Sequence, residues 1–319
     1  MRFRITLEFC WSTAAVAAIL APSASAAHGR RAAKAQKPAT GMIPIIMYHA
    51  IGGPAEFAGG RRYDIHGLNI APQTFRHQLE LMRNAGWIPI NVSELLKRGP
   101  WAPSGRQPVA LTFDDARGSQ FHTLPNGSID PNCAVGILLA FHRRHPDWPL
   151  RATFYILPDS PWNGVPFDQD REGGWKLRFL IRHGFELGNH TTSHRPLNTL
   201  DGRTIQWELA NAVSYIHREV GPYAVRSLAL PYGIPPKPAY RATLFTGRYR
   251  GATYNQRLVL LAGGGPSPLP TDPRFVFGAI PRVVPAPGVV EQWTRKLRHA
   301  WNNIAIGRGD AGAGPRSHE

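Results

Sequence analysis

Cysteine is scarce in this chain, whose 319 residues include only Cys10 and Cys133. We expect Cys10 to be removed with an export signal, and the one remaining thiol cannot form an internal disulfide. A fold without cross-links must be held together by its apolar core. Hydrophobic residues make up 43% of the chain, which is enough for a large core and argues against global disorder. Cys133 lies in an apolar run and is predicted to be a small buried residue.

Acidic residues are also few, with 21 Asp and Glu against 37 Lys and Arg, so the formal net charge is +16. A field of this sign attracts anionic surfaces such as lipid headgroups, nucleic acids or acidic cell-wall polymers. We therefore expect association with an anionic cell-envelope surface, although the spread of arginine along the whole chain is equally typical of a solvated basic surface. A nucleic-acid binder rests on charge alone, because no recognition motif accompanies it and the export signal opposes it.

No apolar run beyond the chain's start is long enough for a transmembrane helix. The start has the features of an export signal: two early arginines, a short apolar run over 11–20, and the small-x-small pattern Ala24-Ser25-Ala26. We expect 1–26 to be a signal peptide, which makes the protein periplasmic or extracellular. An uncleaved N-terminal anchor is the alternative.

The remaining chain divides by composition into three parts. A basic, Ala-rich flexible linker is predicted over 27–41, a catalytic domain over 42–304 and a flexible tail over 305–319. Within the domain, short apolar segments alternate with amphipathic patterns. The predicted strands are 43–48, 109–113, 152–157, 185–188, 228–230, 251–254 and 275–280. The predicted helices run from Pro72 to about Gly86, over 132–145, over 175–183, onward from the capping Asp201, and over 291–303.

This alternation of strands and helices predicts an α/β fold with a parallel sheet. The strands are apolar throughout rather than at every second position, which indicates burial on both faces. About seven such units favour a barrel that is imperfectly closed. An open doubly wound sheet is the main alternative.

Polar clusters follow directly after four of the predicted strands. The C-terminal ends of parallel strands share one face, where active sites of α/β folds lie, so these clusters are predicted to converge. They are Asp114 with Asp115, His190, His49, and Pro231 with Tyr232.

Two of these clusters have the composition of a catalytic metal site. His190 and His194 are four residues apart, so both imidazoles can face one side of a helical turn and bind the same cation. Neighbouring side chains at a strand end point in different directions, so Asp115 can bind the metal while Asp114 reaches a water beside it. Such a metal lowers the pKa of its water to about 7, and Asp114 can take the proton. This is the chemistry of amide or ester hydrolysis. Each pair taken alone is also compatible with ordinary polar loop residues.

Five short segments carry a family resemblance, in the family's order, across 43–284. They are Met47-Tyr48-His49-Ala50-Ile51, Thr112-Phe113-Asp114-Asp115, Ala152-Thr153-Phe154-Tyr155, His190-Thr191-Thr192-Ser193-His194 and Pro231-Tyr232-Gly233. The chain therefore resembles polysaccharide deacetylases with a NodB homology domain, carbohydrate esterase family four.

The resemblance implies a distorted (β/α)7-type barrel that removes N-acetyl or O-acetyl groups from a polysaccharide. It implies a divalent metal, commonly Zn²⁺ and sometimes Co²⁺ or Ni²⁺. It implies Asp114 as general base. The implied metal ligands are Asp115, His190 and His194. Tyr232 would line the site beside Pro231, and its backbone N–H would help to hold the tetrahedral oxyanion.

The chain departs from the family pattern in its supporting residues. Ala116 follows the aspartate pair where the family usually has Gly, and Ala229 stands where the family has the Arg that orients the base. Arg226 is near in sequence, but it is a strand turn away. Arg282, at the end of the last predicted strand, is the other candidate partner for Asp114.

The family's usual source of the general acid is a Leu-x-His segment near the C-terminus, and the one match of this form near the C-terminus is Leu297-Arg298-His299. His299 fits poorly because it lies in a predicted surface helix. His49 is the better candidate for the acid, with a structural strand-end histidine as the alternative.

Two further questions stay open at this level. The missing arginine and the poorly fitting acid motif favour a catalytically weak or inactive barrel that only binds polysaccharide, whereas the complete set of metal ligands and base favours an enzyme. The glycan is also open among peptidoglycan, poly-N-acetylglucosamine, chitin oligomers and acetylated xylan. Three loop tryptophans are either sugar-stacking or packing residues: Trp148, Trp162 and Trp175.

Overall fold

The computed structural model describes residues 41–52, 68–162, 164–169 and 172–306, with side chains as far as Leu297. The predicted signal peptide and almost all of the predicted linker lie outside these residues. The last helix continues to Ile306, so the predicted tail begins two residues too early. No helix in the described ranges has both the length and the apolar character needed to cross a bilayer.

The elements alternate along the chain much as the sequence predicts. The strands are β1 (Met42–Ile43), β2 (Ile45–Tyr48), β3 (Ala50–Ile51), β4 (Asn69–Ile70), β5 (Trp87–Ile90), β6 (Gln107–Phe113), β7 (Thr153–Ile156), β8 (Glu186–Asn189), β9 (Ser227–Ala229), β10 (Thr246–Tyr249), β11 (Ala252–Asn255), β12 (Leu258–Gly264), β13 (Ser267–Pro268) and β14 (Ile280–Arg282). The helices are α1 (Pro72–Asn84), α2 (Ala134–Arg144), α3 (Gly173–Arg182), α4 (Gly202–Val220) and α5 (Val289–Ile306).

Local sequence explains where the helices begin. Pro72 stands in the first turn of α1, where a missing backbone N–H costs nothing. Asp201 caps α4, and its Oδ1 accepts a hydrogen bond from the Thr204 backbone N–H at 2.7 Å. Cys133 caps α2 and is buried, as predicted, with its Sγ accepting from the Gly136 N–H at 3.4 Å.

Seven parallel strands form a nearly closed barrel in the order β14, β12, β9, β8, β7, β6, β2, with β5 paired to β6 beside this path. A parallel bridge between Ile46 and Val283 joins the two ends of the series. There Met47 N donates to Val283 O at 2.9 Å, and Val283 N donates to Ile45 O at 2.7 Å. The predicted barrel is therefore confirmed, and an open doubly wound sheet is excluded.

The barrel is distorted at two places. Strands β8 and β9 pair at a single position, Asn189 with Leu228. The register between β12 and β14 shifts between Leu260 and Gly264. These irregularities lie beside the strands that carry the polar clusters.

Two of the predicted strands do not take their expected place in the barrel. The segment predicted at 251–254 belongs to an antiparallel hairpin of β10 and β11 outside the barrel. The last predicted strand, 275–280, overlaps β14 at one residue only, because Asp272–Phe275 forms a turn closed by a backbone hydrogen bond of 2.9 Å. The missing barrel strand is β12, whose Leu258–Leu261 start is strand-like but whose Ala-Gly-Gly end reads as a loop.

The strands are buried on both faces, as their unbroken apolar sequences predict. Neighbouring residues go to different cores: Ala110 and Tyr155 face the barrel interior, whereas Leu111 and Phe154 pack under the helices. On the helix side the rings of Phe113 and Phe154 stack at 4.7 Å. The strand positions are therefore fixed from both sides, and the residues at the strand ends are held with them.

Candidate active site

The polar clusters predicted from the sequence meet at the C-terminal end of the barrel. Asp114 and Asp115 directly follow β6, and His190 directly follows β8. His49 follows β2 in the same way. Pro231 and Tyr232 lie in a short 3-10 turn just after β9. The parallel direction of the strands is what brings these distant parts of the chain together.

Three donor groups form a compact buried cluster. The ligand atoms of Asp115, His190 and His194 all lie within 4.8 Å of one another. Asp115 Oδ1 is 3.1 Å from His190 Nε2 and 3.4 Å from His194 Nε2. His190 Nδ1 is 2.9 Å from the backbone carbonyl of Ala229, an acceptor that fixes the ring proton there and leaves Nε2 facing the cluster. Two imidazoles and one carboxylate fit a divalent metal of the zinc type.

The local backbone of this cluster is strained. Asp115 has φ of 75°, Thr191 of 67° and His194 of 57°, all in the left-handed region that residues with a side chain rarely adopt. Each such residue costs about 1–3 kcal/mol, which the surrounding structure must offset. Ala116, with φ of 49°, adopts the same region where the family usually has glycine, and its Cβ is accommodated in the core.

Glu208 on α4 supports the strained segment 190–194, and the sequence did not reveal it. Its Oε2 accepts hydrogen bonds from the backbone N–H groups of Thr192 and Ser193, each at 2.9 Å. Glu208 is fully buried beside Leu209, which belongs to the apolar face of α4. A carboxylate next to a predicted core position is the one sequence signal that would have pointed to this support.

Asp114 forms a buried, two-pronged ion pair with Arg282. Arg282 Nη1 is 2.7 Å from Asp114 Oδ1, and Nη2 is 2.6 Å from Oδ2. The guanidinium is further fixed by the Leu261 carbonyl at 2.6 Å and Thr112 Oγ1 at 3.2 Å. Arg226 is exposed and precedes β9, at the other end of that strand. The arginine that faces the aspartate therefore comes from β14 rather than β9.

His49 lies beside the same carboxylate. Its Nε2 is 4.0 Å from Asp114 Oδ2. Gln120, another residue the sequence did not single out, donates from Nε2 to the backbone carbonyls of His49 and Asp114 at 2.9 and 2.5 Å. This bridge holds the ends of β2 and β6 together at the site. The side chain of His299 lies outside the residues whose side chains the structure describes.

The charges of the site settle the protonation of the two carboxylates. Burial alone raises the pKa of Asp114, but Arg282 and His190 outweigh it and hold that pKa below its usual range. Burial likewise raises the pKa of Asp115, while the His190 hydrogen bond and the charges of His49, His190 and Arg117 bring it well below its usual range. Both carboxylates are therefore ionised at neutral pH.

The histidines differ in their basicity. Burial, together with neighbouring His190, lowers the pKa of His194 to about 3. Burial also lowers the pKa of His49. Burial lowers the pKa of His190, but Asp114 and Asp115 outweigh it and raise that pKa above its usual value. Because a metal ligand must be unprotonated, a cation at this site would displace the His190 proton.

Arg117 contacts the metal-ligand carboxylate from the side away from the histidines. Its Nη2 and Nε are 3.0 and 3.1 Å from Asp115 Oδ2. Its guanidinium also lies 4.2 Å from the ring centroid of Trp162. Asp115 thus keeps Oδ1 toward the histidines. Nothing in the spacing of the motif pointed to Arg117, which follows the aspartate pair as an ordinary loop residue.

Two half-exposed aromatic rings flank His194. Trp162 makes an edge contact with His194 at 4.9 Å, and Tyr232 does so at 4.6 Å. Trp148 is buried against Phe141, and Trp175 packs edge-on against Phe121, so neither of these two tryptophans faces the site. Tyr232 has φ of 58°, a further strained residue at this rim.

Comparison with known proteins agrees with this arrangement. A family model described as polysaccharide deacetylase matches residues 102–248. This part of the chain is similar to polysaccharide deacetylases. The matched region contains the three donor residues, Asp114 and Tyr232, whereas His49 and Arg282 come from flanking parts of the chain.

A chitooligosaccharide deacetylase from Sinorhizobium fredii is 28% identical over 141 residues, which are 44% of this chain and 54% of that protein. The chain thus spans about half the length of this curated relative. Two solved structures share the fold. Streptococcus pyogenes deacetylase PplD in complex with acetate has a TM-score of 0.57 at 19% identity, covering 80% of this chain and 98% of that one. IcaB from Ammonifex degensii has a TM-score of 0.53 at 15% identity, covering 81% and 97%.

Proposed function

We propose that this chain is a metal-dependent hydrolase that removes N-acetyl, or O-acetyl, groups from a polysaccharide or its oligosaccharides. One observation carries the proposal. The buried, ionised Asp114 is hydrogen-bonded to Arg282 at 2.6 and 2.7 Å, and it lies next to three donor groups within 4.8 Å of one another. A base beside a metal site is what water activation requires.

Asp115, His190 and His194 would hold the cation, and this donor set suits Zn²⁺ best, with Co²⁺ or Ni²⁺ as alternatives. When bound, the cation supplies a Lewis acid that lowers the pKa of water and polarises a carbonyl group. Arg117 keeps the second oxygen of Asp115 engaged, at 3.0 Å, so one oxygen is presented to the cluster. The buried, hydrogen-bonded surroundings fix the ligand geometry in advance.

Asp114 is proposed to accept a proton from the attacking water. Arg282 keeps the carboxylate ionised and correctly turned, and each Asp114 oxygen retains a further lone pair for that proton. The water oxygen bonds to the acetyl carbon, the bond from that carbon to nitrogen breaks, and the nitrogen leaves with one added proton. His49 Nε2, 4.0 Å from Asp114 Oδ2, is placed to pass the proton from Asp114 to that nitrogen. The Tyr232 backbone N–H is proposed to stabilise the oxyanion.

Sugar binding is proposed at the rim formed by Trp162 and Tyr232, with Pro231 shaping the turn that carries the tyrosine. Exposed aromatic faces can pack against the apolar face of a sugar ring. The name of the Sinorhizobium fredii relative makes N-acetylglucosamine oligomers the first substrate to test. Peptidoglycan, poly-N-acetylglucosamine and acetylated xylan are the further candidates.

The decisive experiment is acetate release from a panel of these acetylated glycans, with and without a chelator. We expect release from at least one glycan, loss of release with chelator, and recovery on adding Zn²⁺. Stoichiometric metal binding with no acetate from any glycan would overturn the enzyme proposal. It would favour the second candidate, a polysaccharide-binding barrel without turnover, which the Ala229 departure from the family pattern supports.

Export is part of the same proposal, because acetylated wall polymers lie outside the cytoplasm. The early arginines, the apolar run and the Ala24-Ser25-Ala26 pattern support a signal peptide over 1–26 and a periplasmic or extracellular enzyme. The mass of the exported protein tests this: we expect a chain beginning at Ala27. A full-length chain retained in the cytoplasm would contradict it.

A further inference from the structure

The large apolar side chains that the described residues expose are not scattered evenly. Trp162 and Tyr232 lie at the C-terminal rim around the site. Val276 and Phe277 are adjacent in sequence and are 56% and 45% exposed. The Phe277 carbonyl accepts a hydrogen bond from the backbone N–H of Val259, the second residue of β12, at 2.8 Å. Val276 and Phe277 therefore lie toward the N-terminal end of the barrel, opposite the site.

Exposed arginines lie at the same end of the barrel as this apolar pair. Arg226 directly precedes β9 and Arg257 directly precedes β12, and the Arg226 carbonyl accepts from the Arg257 N–H at 2.8 Å. Arg226 and Arg248 also line one cavity of about 540 Å³, together with His217. All three arginines are exposed, and none forms an ion pair with another described residue.

Acidic residues that could neutralise this region are missing from the sequence around it. Between Glu219 and Asp272 there is no Asp or Glu. Asp272 is buried, and Arg274 holds it at 2.7 and 3.0 Å. Glu219 is paired with Arg218 at 3.2 Å. The exposed arginines of this end therefore have no free acidic neighbour within residues 219–274.

Basic residues at the helix ends add to the positive charge of this end of the barrel, but the helix dipole explains their presence. Helices α1 to α4 each carry basic residues in the last turn and no acidic residue in the first turn. In a parallel barrel these helix ends lie at the N-terminal end of the strands, and basic residues there stabilise the helix dipole. Arg226 lies six residues beyond the last residue of α4, and Arg257 lies between two strands, so neither is in the last turn of a helix. The dipole therefore does not explain them.

We propose that this end of the barrel docks on the surface of a lipid bilayer that contains anionic phospholipid. The basic-apolar face is defined by Arg226, Arg248, Arg257, Val276 and Phe277. The arginines match anionic headgroups in charge. Val276 and Phe277 gain from entering the headgroup region, whereas a soluble anionic polymer would give them no apolar environment. A bilayer therefore accounts for both halves of the face, and a polymer accounts for one.

This docking would aim the candidate active site away from the membrane. The metal ligands follow the C-terminal ends of β6 and β8, at the opposite end of the barrel from the basic-apolar face. A docked molecule would present its cleft to polymers that lie beyond the lipid surface. The inference goes beyond the proposed deacetylase activity and needs neither metal nor turnover.

Sedimentation of the purified full chain with vesicles tests the proposal. Vesicles of phosphatidylcholine alone are compared with vesicles containing about one third phosphatidylglycerol, a fraction chosen to give a negative surface. We expect binding only to the anionic vesicles. The double variant Arg226→Glu/Arg257→Glu should weaken that binding by roughly tenfold or more, given the headgroup attraction of each cation. The variant Val276→Ser/Phe277→Ser should also weaken it.

A matched control reverses two exposed arginines elsewhere on the surface, which changes the net charge equally. The control is Arg195→Glu/Arg241→Glu: Arg195 follows β8 on the side of the candidate site, and Tyr240, beside Arg241, packs near Gly202 at the start of α4. This variant should bind as the wild type does. Equal loss in both charge variants would mean attraction by net charge only and would overturn the proposal. Loss on charge reversal with no effect of Val276→Ser/Phe277→Ser would assign the face to a soluble anionic polymer and would also overturn it. Thermal melting checks that each variant is folded.

Discussion

Arg282 and Arg257 lie at opposite ends of the barrel and differ in burial and in ion pairing. Arg282 is fully buried and uses its two terminal nitrogens to hold Asp114, at 2.6 and 2.7 Å. Arg257 is exposed and forms no ion pair among the described residues. A buried charge must be paired to be tolerated, whereas a solvated charge has no such requirement. The arginine at the C-terminal end therefore fixes the internal geometry of the site, whereas the arginine at the N-terminal end is free to contact an external partner.

The same contrast holds for the backbone. At the C-terminal end, five residues with side chains have left-handed φ values: Asp115, Ala116, Thr191, His194 and Tyr232. Such residues cluster at functional sites, where buried supports such as Glu208 over-determine the conformation. The strand starts at the other end contain none of these. Strain, burial and ion pairing thus coincide at one end of the barrel.

The largest expected effect comes from Asp114→Asn at the C-terminal end. Asparagine keeps the size of the side chain and an oxygen for Arg282, but it cannot take a proton from water. We expect turnover to fall by roughly 100- to 10,000-fold while metal content is unchanged. Acetate release and metal analysis of the purified variant measure this, with Arg257→Gln as the control at the other end. Full activity of Asp114→Asn would remove that residue from the mechanism.

The two arginines give the next comparison. Arg282→Met leaves Asp114 as an unpaired buried carboxylate, so the free energy of unfolding should fall by about 3–5 kcal/mol. Arg257→Met removes only a solvated charge, and we expect a change within about 0.5 kcal/mol. Urea denaturation of both variants provides the measurement. Equal destabilisation of the two would break the contrast between the ends.

Removal of a metal from the donor cluster at the C-terminal end should lower the stability of the fold. Occupancy of the cluster by Zn²⁺ at 100 times its dissociation constant should stabilise the fold by about 2.7 kcal/mol, because the unfolded chain holds no preformed site. A chelator should therefore lower the melting temperature of the wild type. His194→Gln should respond much less, since one donor is lost. A melting temperature that chelator and Zn²⁺ leave unchanged would argue against a metal at these residues.

The smallest effect concerns the exposed aromatic side chains. Trp162→Ala should raise KM for a glycan by roughly 2- to 12-fold, because an aromatic contact contributes about 0.5–1.5 kcal/mol beyond its area. Phe277→Ala, at the opposite end, should leave KM for a soluble oligosaccharide unchanged. Steady-state kinetics on one oligomer compares the two. An equal rise in KM for Phe277→Ala would show that the two apolar groups are not separated in function.

Much of the fold could be predicted because its strands are short, apolar and separated by clear helix signals. Pro72 and Asp201 mark helix starts by their own chemistry, and both predictions held. Strand β12 was missed because its Gly-rich end resembles a loop, and only its position between β9 and β14 makes it a strand. A single sequence contains no information on such tertiary pairing. The β10–β11 hairpin was mistaken for a barrel strand for the same reason.

The site could be predicted where the residue type itself carries the chemistry. Paired aspartates and histidines at strand ends indicated the metal cluster. Arg117, Gln120 and Glu208 carry no such signal, because their roles depend on hydrogen bonds formed only after folding. The sequence did offer Arg282 as a candidate partner for Asp114, and the ion pair confirms it, although only the structure shows that β14 rather than β9 supplies the arginine. This placement preserves the charge beside Asp114 while changing the strand that supplies it.

The pairing of β2 with β14 determines when the ion pair beside the donor cluster can form. The three donor residues follow β6 and β8, in the middle of the chain, but the partner of Asp114 lies on the last strand of the barrel. Pairing between the first and last strands is a non-local contact, which forms late and slowly in folding. Without β14, the Asp114 carboxylate would lack the counter-charge that Arg282 supplies. This carboxylate therefore acquires its partner only once the first and last strands of the barrel have paired.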